Sequence, residues 1–132
     1  MLLDGKKIAI LIADGVEDLE YYVPCMRLQE EGAKVLTAAL ELKPVTGKNG
    51  LVIAPDTQIA DLRTADLFAL VIPGGWAPDK LRRFPECLEL VRAVDRAGRP
   101  VGQICHAGWV LVSAGILKGR RVTSVGAIRD DM

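Results

Sequence analysis

Residues 6–15 read Lys-Lys-Ile-Ala-Ile-Leu-Ile-Ala-Asp-Gly, and this stretch decides the fold. Two lysines lead into an unbroken apolar run over Ile8–Ala13, with no alternation between polar and apolar positions. A strand with one wet face would alternate, so a continuous run of this length marks a strand covered on both sides. Asp14-Gly15 breaks it, and a helical pattern follows from about Asp18 to Glu31. Leu19, Tyr22, Val23, Met26 and Leu28 supply its expected apolar side. Pro24 lies inside this helix, where the missing N–H should kink or restart it, and Gly32 stops it.

The same grammar continues outward. Ala33–Leu40 reads as a second strand, and residues 41–54 as a small hairpin excursion around the Asn49-Gly50 turn signal. A short helix is expected near Ile59–Arg63, then a buried strand over Asp66–Ile72 closed by Pro73-Gly74-Gly75. Glu86–Ala97 reads as a helix ended by Gly98, Val101–Ile104 as a strand, and Ala107–Leu117 as a helix of small and apolar residues. Strand and helix alternate with Gly/Pro punctuation, which predicts an α/β fold: a doubly wound parallel sheet in a single domain.

Composition narrows the class. The chain has 132 residues, 17 Lys+Arg against 17 Asp+Glu, and one His, so its formal net charge is zero. A nucleic-acid surface needs a cationic excess, and the short clusters Lys80/Arg82/Arg83 and Lys118/Arg120/Arg121 are bracketed by acids. No apolar run is long enough to cross a bilayer, and no secretory leader opens the chain, so no membrane partner and a cytoplasmic location are expected. Three cysteines, at 25, 87 and 105, make a poor disulfide framework and suit a reducing compartment. With a single His they also lack zinc-ligand spacing, so neither metal nor other cofactor is expected.

In a doubly wound sheet the ligand crevice lies beyond the carboxyl ends of the strands. Three motifs fall there: Asp14-Gly15-Val16-Glu17-Asp18, Pro73–Asp79 and Cys105-His106. Cys105 at a strand-to-helix junction would present its sulfur above a helix amino terminus, which lowers a thiol pKa and favours thiolate at neutral pH. Ala107 and Gly108 relieve crowding in such an elbow. The plainer reading is a buried cysteine packing as a small hydrophobe. His106 is the only imidazole available as base, or else a structural histidine. Gly74, Gly75 and the His106 backbone N–H are candidate oxyanion donors, unless Gly74-Gly75 is merely a turn. Glu17 and Asp18 suit a helix start electrostatically; alternatively, Glu17 reaches the thiol and donates a hydrogen bond to it. Asp79 is either a helix cap or the acid that orients His106. Cys25 and Cys87 fall in helical patterns and are assigned to packing. Gly47-Lys48-Asn49-Gly50 lacks the context of a phosphate loop.

Residues 13–18 (Ala-Asp-Gly-Val-Glu-Asp), 70–79 (Leu-Val-Ile-Pro-Gly-Gly-Trp-Ala-Pro-Asp), Ile104-Cys105-His106 and 113–121 (Ser-Ala-Gly-Ile-Leu-Lys-Gly-Arg-Arg) resemble the PfpI family over essentially Lys6–Met132. That family comprises intracellular proteases and protein deglycases of the class I glutamine-amidotransferase-like superfamily. The resemblance implies a flavodoxin-like sandwich with Cys105 as nucleophile, Glu17 as the acid contacting it and His106 as base. It implies that the third triad member, from the position of Asp79, comes from an adjoining subunit, usually as Glu. The site would then be complete only in a homo-oligomer, a dimer or a hexamer. Small carbonyl adducts, from glyoxal or methylglyoxal on amino, thiol or nucleobase groups, are the implied substrates. Peptides are the alternative, and a non-enzymatic redox-sensing or chaperone role through Cys105 oxidation is a third. An amidotransferase proper needs a His downstream of the cysteine pair, and none follows His106.

Two departures bear on the pocket. Ala107-Gly108-Trp109 stands where many relatives have Gly-Pro, and Val125 where some carry an aromatic. Relatives also continue past Met132 through a further strand and a closing helix. The chain is therefore expected to be truncated relative to the family, with apolar surface exposed near Val122–Ile128.

Overall fold

A computed structural model describes all 132 residues. Its five-stranded sheet has the order β5-β2-β1-β6-β7, built from β1 (Lys7–Leu11), β2 (Lys34–Ala39), β5 (Thr57–Gln58), β6 (Ala69–Ile72) and β7 (Val101–Gln103). Every pairing in it is parallel. The apolar run read as a doubly covered strand is the central strand: Ile8, Ala9, Ile10, Leu11 and Ile12 are all buried. Successive strands run outward from β1 in both directions, to β2 on one side and to β6 and β7 on the other. The topological switch point thus lies at the carboxyl ends of β1 and β6, where such sheets open a crevice.

The hairpin excursion is β3 (Val45–Thr46) paired antiparallel with β4 (Val52–Ile53), and Gly50 in its turn has φ 94°. Helix α1 (Asp18–Glu30) runs without interruption through Pro24, where the sequence suggests a kink or restart. Short 3₁₀ turns, Ile59–Asp61 and Thr64–Asp66, replace the single helix expected near 59–63. Helix α2 (Ala77–Leu81), which no periodicity announces, starts with Pro78 in its first turn, where the missing N–H costs nothing. Helix α3 (Pro85–Arg96) buries Cys87, as its assignment to packing expects, together with Leu90, Val91 and Val94. The last helix is shorter than expected: a 3₁₀ turn at Cys105–Ala107 feeds α4 (Gly108–Ala114), which Gly115 ends in the left-handed region.

The buried face of α1 differs from the expected one. Asp18, Tyr21 and Cys25 point inward while Leu19, Val23 and Met26 are exposed. Polar groups tolerate burial there because each finds a partner. Tyr21 Oη lies 2.8 Å from the Thr37 hydroxyl, and Asp18 accepts the Asn49 and Leu51 backbone N–H groups at 2.7 and 2.9 Å. Burial pushes the Asp18 carboxyl up, but those bonds outweigh it and hold the group below the usual carboxylate value.

No strand follows β7. Residues 120–125 run as irregular chain, tied back by Gln103 Nε2–H to the Thr123 carbonyl at 2.6 Å. Of the apolar surface expected over Val122–Ile128, Val122 is exposed, but Ile128 is 1% exposed. A 3₁₀ turn over Gly126–Asp131 folds Ile128 back onto α4, with Met132 packed against Gly108.

Candidate active site at the carboxyl ends of the sheet

β7 ends at Gln103, and Cys105, two residues on, adopts φ 61°. It is the only non-glycine residue with positive φ in the chain. A side chain there costs on the order of 1–2 kcal/mol, so the conformation persists because its surroundings impose it. The turn leaves the thiol half-buried at the start of α4. Ala107 is wholly buried behind it, so its small side chain belongs to the elbow's packing and not to a substrate wall.

Four groups meet the sulfur. His106 Nδ1 lies 3.3 Å from Sγ. The backbone N–H groups of His106 and Gly75 lie close enough to favour the thiolate, and the Glu20 carboxyl stands beside the sulfur. Burial pushes the Cys105 thiol above its ordinary pKa; the Glu20 charge adds to this, and the two N–H bonds pull against it without prevailing. The expectation that a helix terminus depresses this pKa is therefore corrected. The helix is only seven residues long and begins beyond a 3₁₀ turn, and burial, with the nearby carboxylate, outweighs it.

The acid beside the thiol is Glu20, not Glu17. Glu17 is the N-cap of α1: one carboxylate oxygen accepts the Glu20 backbone N–H at 2.9 Å, and the other accepts from Asn49 Nδ2 at 3.0 Å. Glu20, one turn on, directs its carboxylate to the Gly74 N–H at 2.7 Å. Both acids sit at the start of one helix, but the cap occupies the first with its own backbone.

Gly74 and Gly75 bind the motifs together. A Cβ on Gly74 would lie 2.5 Å from Glu20 Oε2 and 2.7 Å from Cys105 Cβ, so only hydrogen fits. Gly75 has φ 76°, and a Cβ there would fall 2.5 Å from the Glu17 nitrogen. An isolated antiparallel bridge between Val16 and Gly75, with Glu17 N–H donating to the Gly74 carbonyl at 3.2 Å, closes the β1 and β6 ends against each other. A groove of about 340 Å³ opens beside Cys105, lined by Gln103, Ile104, Thr123, Ser124 and Val125.

Asp79 does not meet His106 within the chain. It lies on α2, half-buried, and pairs with Arg83. The single side-chain hydrogen bond of His106 is to Cys105, and its ring is tilted 57° against Trp109 at a centroid distance of 5.2 Å. Glu20 is the residue that sequence reading missed, and Trp109, singled out there only as a departure at the pocket, proves to pack on His106. Glu20 was discoverable as the next acid one turn beyond a self-satisfied cap, and Trp109 as the aromatic on the first turn of α4. No group of three or more His, Cys, Asp or Glu side chains is arranged to hold a metal ion.

The DJ-1/PfpI family model matches residues 6–132. The chain belongs to the DJ-1/PfpI family. It is 42% identical over 126 residues to the deglycase PfpI of Pyrococcus furiosus, covering 96% of this chain and 76% of that protein. It is 36% identical over 130 residues to protein/nucleic acid deglycase 2 of Escherichia coli, covering 97% of this chain and 76% of the relative. Among solved structures, the two-domain protein of Anabaena variabilis containing DJ-1/ThiJ/PfpI-like and ferritin-like domains superposes with a TM-score of 0.94 at 36% identity. That match covers 96% of this chain and 37% of the larger one. The parallel sheet with its helices is thus the flavodoxin-like fold of the DJ-1/PfpI family. This chain spans about three quarters of the length of the curated relatives it matches.

Proposed function

We propose that this chain is a cysteine-dependent hydrolase of the deglycase type, acting on glyoxal or methylglyoxal adducts of amino, thiol or nucleobase groups. The observation that carries the reading is the Cys105 elbow: a thiol held at positive φ, with an imidazole nitrogen at 3.3 Å and two backbone N–H groups at the sulfur. Similarity to relatives named deglycases supports it. In this reading Cys105 attacks the adduct carbon, the N–H groups of Gly75 and His106 stabilise the charge that develops, and His106 moves the proton. One water is consumed and no outside oxidant is needed, because the adduct carbon is oxidised to the carboxyl level as the neighbouring carbonyl carbon is reduced to the alcohol; a methylglyoxal adduct yields the free amine or thiol and lactate, and a glyoxal adduct yields glycolate.

His106 has no acid partner within the chain, and Asp79, half-buried and paired only with the exposed Arg83, could exchange that partner for the imidazole of a second copy. A homo-oligomer in which Asp79 of one subunit orients His106 of another therefore belongs to this reading. The three free cysteines fit work in a reducing, cytoplasmic setting.

The test is lactate release from methylglyoxal-treated amino acids and thiols, with short peptides assayed in parallel on one sample of known oligomeric mass. Lactate release by wild type and its loss in Cys105→Ser are expected. Equal release by both proteins overturns the reading, and peptide cleavage without lactate release replaces it with a peptidase.

A further inference from the structure

We propose that Trp109 is a positioning residue for His106 within its own chain, acting beside any acid from a second copy and held in place by Asp131 and Arg82. The imidazole has one polar contact in this chain, the 3.3 Å approach of Nδ1 to Cys105 Sγ. A ring held by one weak contact to sulfur can turn about its side-chain torsions and carry Nδ1 away from the thiol. The surface that opposes this rotation is the Trp109 indole, tilted against the imidazole at 5.2 Å, a separation typical of favourable aromatic pairs.

Trp109 is itself fixed from two directions. Its Nε1–H donates to Asp131 Oδ2 at 2.8 Å. The Arg82 guanidinium lies 5.4 Å from the centre of its ring, within cation–π range. Arg82 is in turn tied to α4, its Nε–H donating to Ser113 Oγ at 2.8 Å. Asp131 is seated by the turn that buries Ile128 and packs Met132 on Gly108. Two segments of chain, the end of α2 at Arg82 and the 126–131 turn, thus converge on one indole in the first turn of α4, and that indole faces the base of the Cys-His pair.

The proposal rests on the reading of Cys105-His106 as the reactive pair and needs no substrate. It is tested by the rate at which iodoacetamide alkylates Cys105 near neutral pH, followed by mass spectrometry in wild type, W109F, W109L, H106A and W109L/H106A. W109F, which keeps an aromatic face, is expected to stay close to wild type. W109L is expected to slow alkylation toward the H106A rate, by up to about tenfold, and the double variant to be no slower than H106A, as for residues acting through one contact. Buried Cys25 and Cys87 report folding in the same spectra. If W109L exposes them, D131N, which weakens the indole's anchor, takes its place in the same cycle. A wild-type rate in W109L or in H106A, or effects that multiply in the double variant, overturns the proposal. Absence of lactate release with the alkylation pattern intact would instead remove only the deglycase reading.

Discussion

Cys105 and Cys87 are both cysteines whose thiols the fold pushes above their ordinary pKa, and they are opposites in chemistry. Cys87 sits in α3 at 0% exposure, and burial drives its thiol up to about 12, with the Glu86 charge adding to it. Cys105 sits in a turn between β7 and α4 and is half-buried. Burial leads there as well, but the charge of Glu20 and two opposing N–H bonds share the outcome. The first shift comes chiefly from the absence of water and cannot be relieved without unfolding. The second depends on a carboxylate and two donors that a substrate or a proton can rearrange. A raised pKa does not by itself distinguish an inert thiol from a working one; the difference lies in which groups cause it.

The sharpest way to break this contrast is to remove each sulfur. Cys105→Ser should lower lactate release by at least about 10³-fold, the scale of losing a nucleophile, and abolish rapid alkylation. Cys87→Ser should leave turnover near wild type while lowering stability by about 1–3 kcal/mol, because a hydroxyl is left in a dry site. Urea unfolding beside the activity assay checks both. The reverse pattern would end the assignment.

Gly74→Ala comes next. Its Cβ would collide with Glu20 and Cys105 at once, and overpacking of this kind costs about 1–3 kcal/mol. Thermal unfolding should register that cost, and the alkylation midpoint should move down in pH as the carboxylate is driven away from the sulfur. Glu20→Gln is milder and tests the cause of the shift at Cys105. With the negative charge gone and an amide oxygen still able to accept the Gly74 N–H, the alkylation midpoint should move down in pH. The sign follows because a nearby negative charge disfavours thiolate. Glu17→Gln, at the cap, should leave that midpoint in place. The smallest effect is expected for Cys105→Gly, which relieves the left-handed backbone and should raise stability by about 0.5–1 kcal/mol at most. A loss of stability there would show that the side chain packs more favourably than the torsion costs.

The sequence was most informative where one physical rule acts alone. The central strand declared itself by an apolar run with no alternation, the hairpin by Asn49-Gly50, and α3 by its period, since Cys87, Leu90, Val91 and Val94 all face inward. It misled in α1, where apolar residues occur all round the helix and the buried side was chosen by polar partners on β2 and in the β3–β4 turn. Thr37 for Tyr21, and Asn49 and Leu51 for Asp18, lie 16 to 33 residues away and leave no local mark. The same distance problem hid Glu20 and the packing of Trp109 on His106. Two acids one turn apart look alike until the capping bond occupies one of them, and the anchor of Trp109 lies 22 residues downstream.

The left-handed turn at Cys105 has a consequence for how this site can change. Its strain falls on folding, once, and does not recur during turnover, so the sulfur is already presented in the resting protein. Selection for a more stable chain and selection for a reactive one therefore pull in opposite directions on a single backbone torsion. A lineage released from the need for the thiol would be free to relax that torsion first, with glycine or asparagine as the least costly replacements.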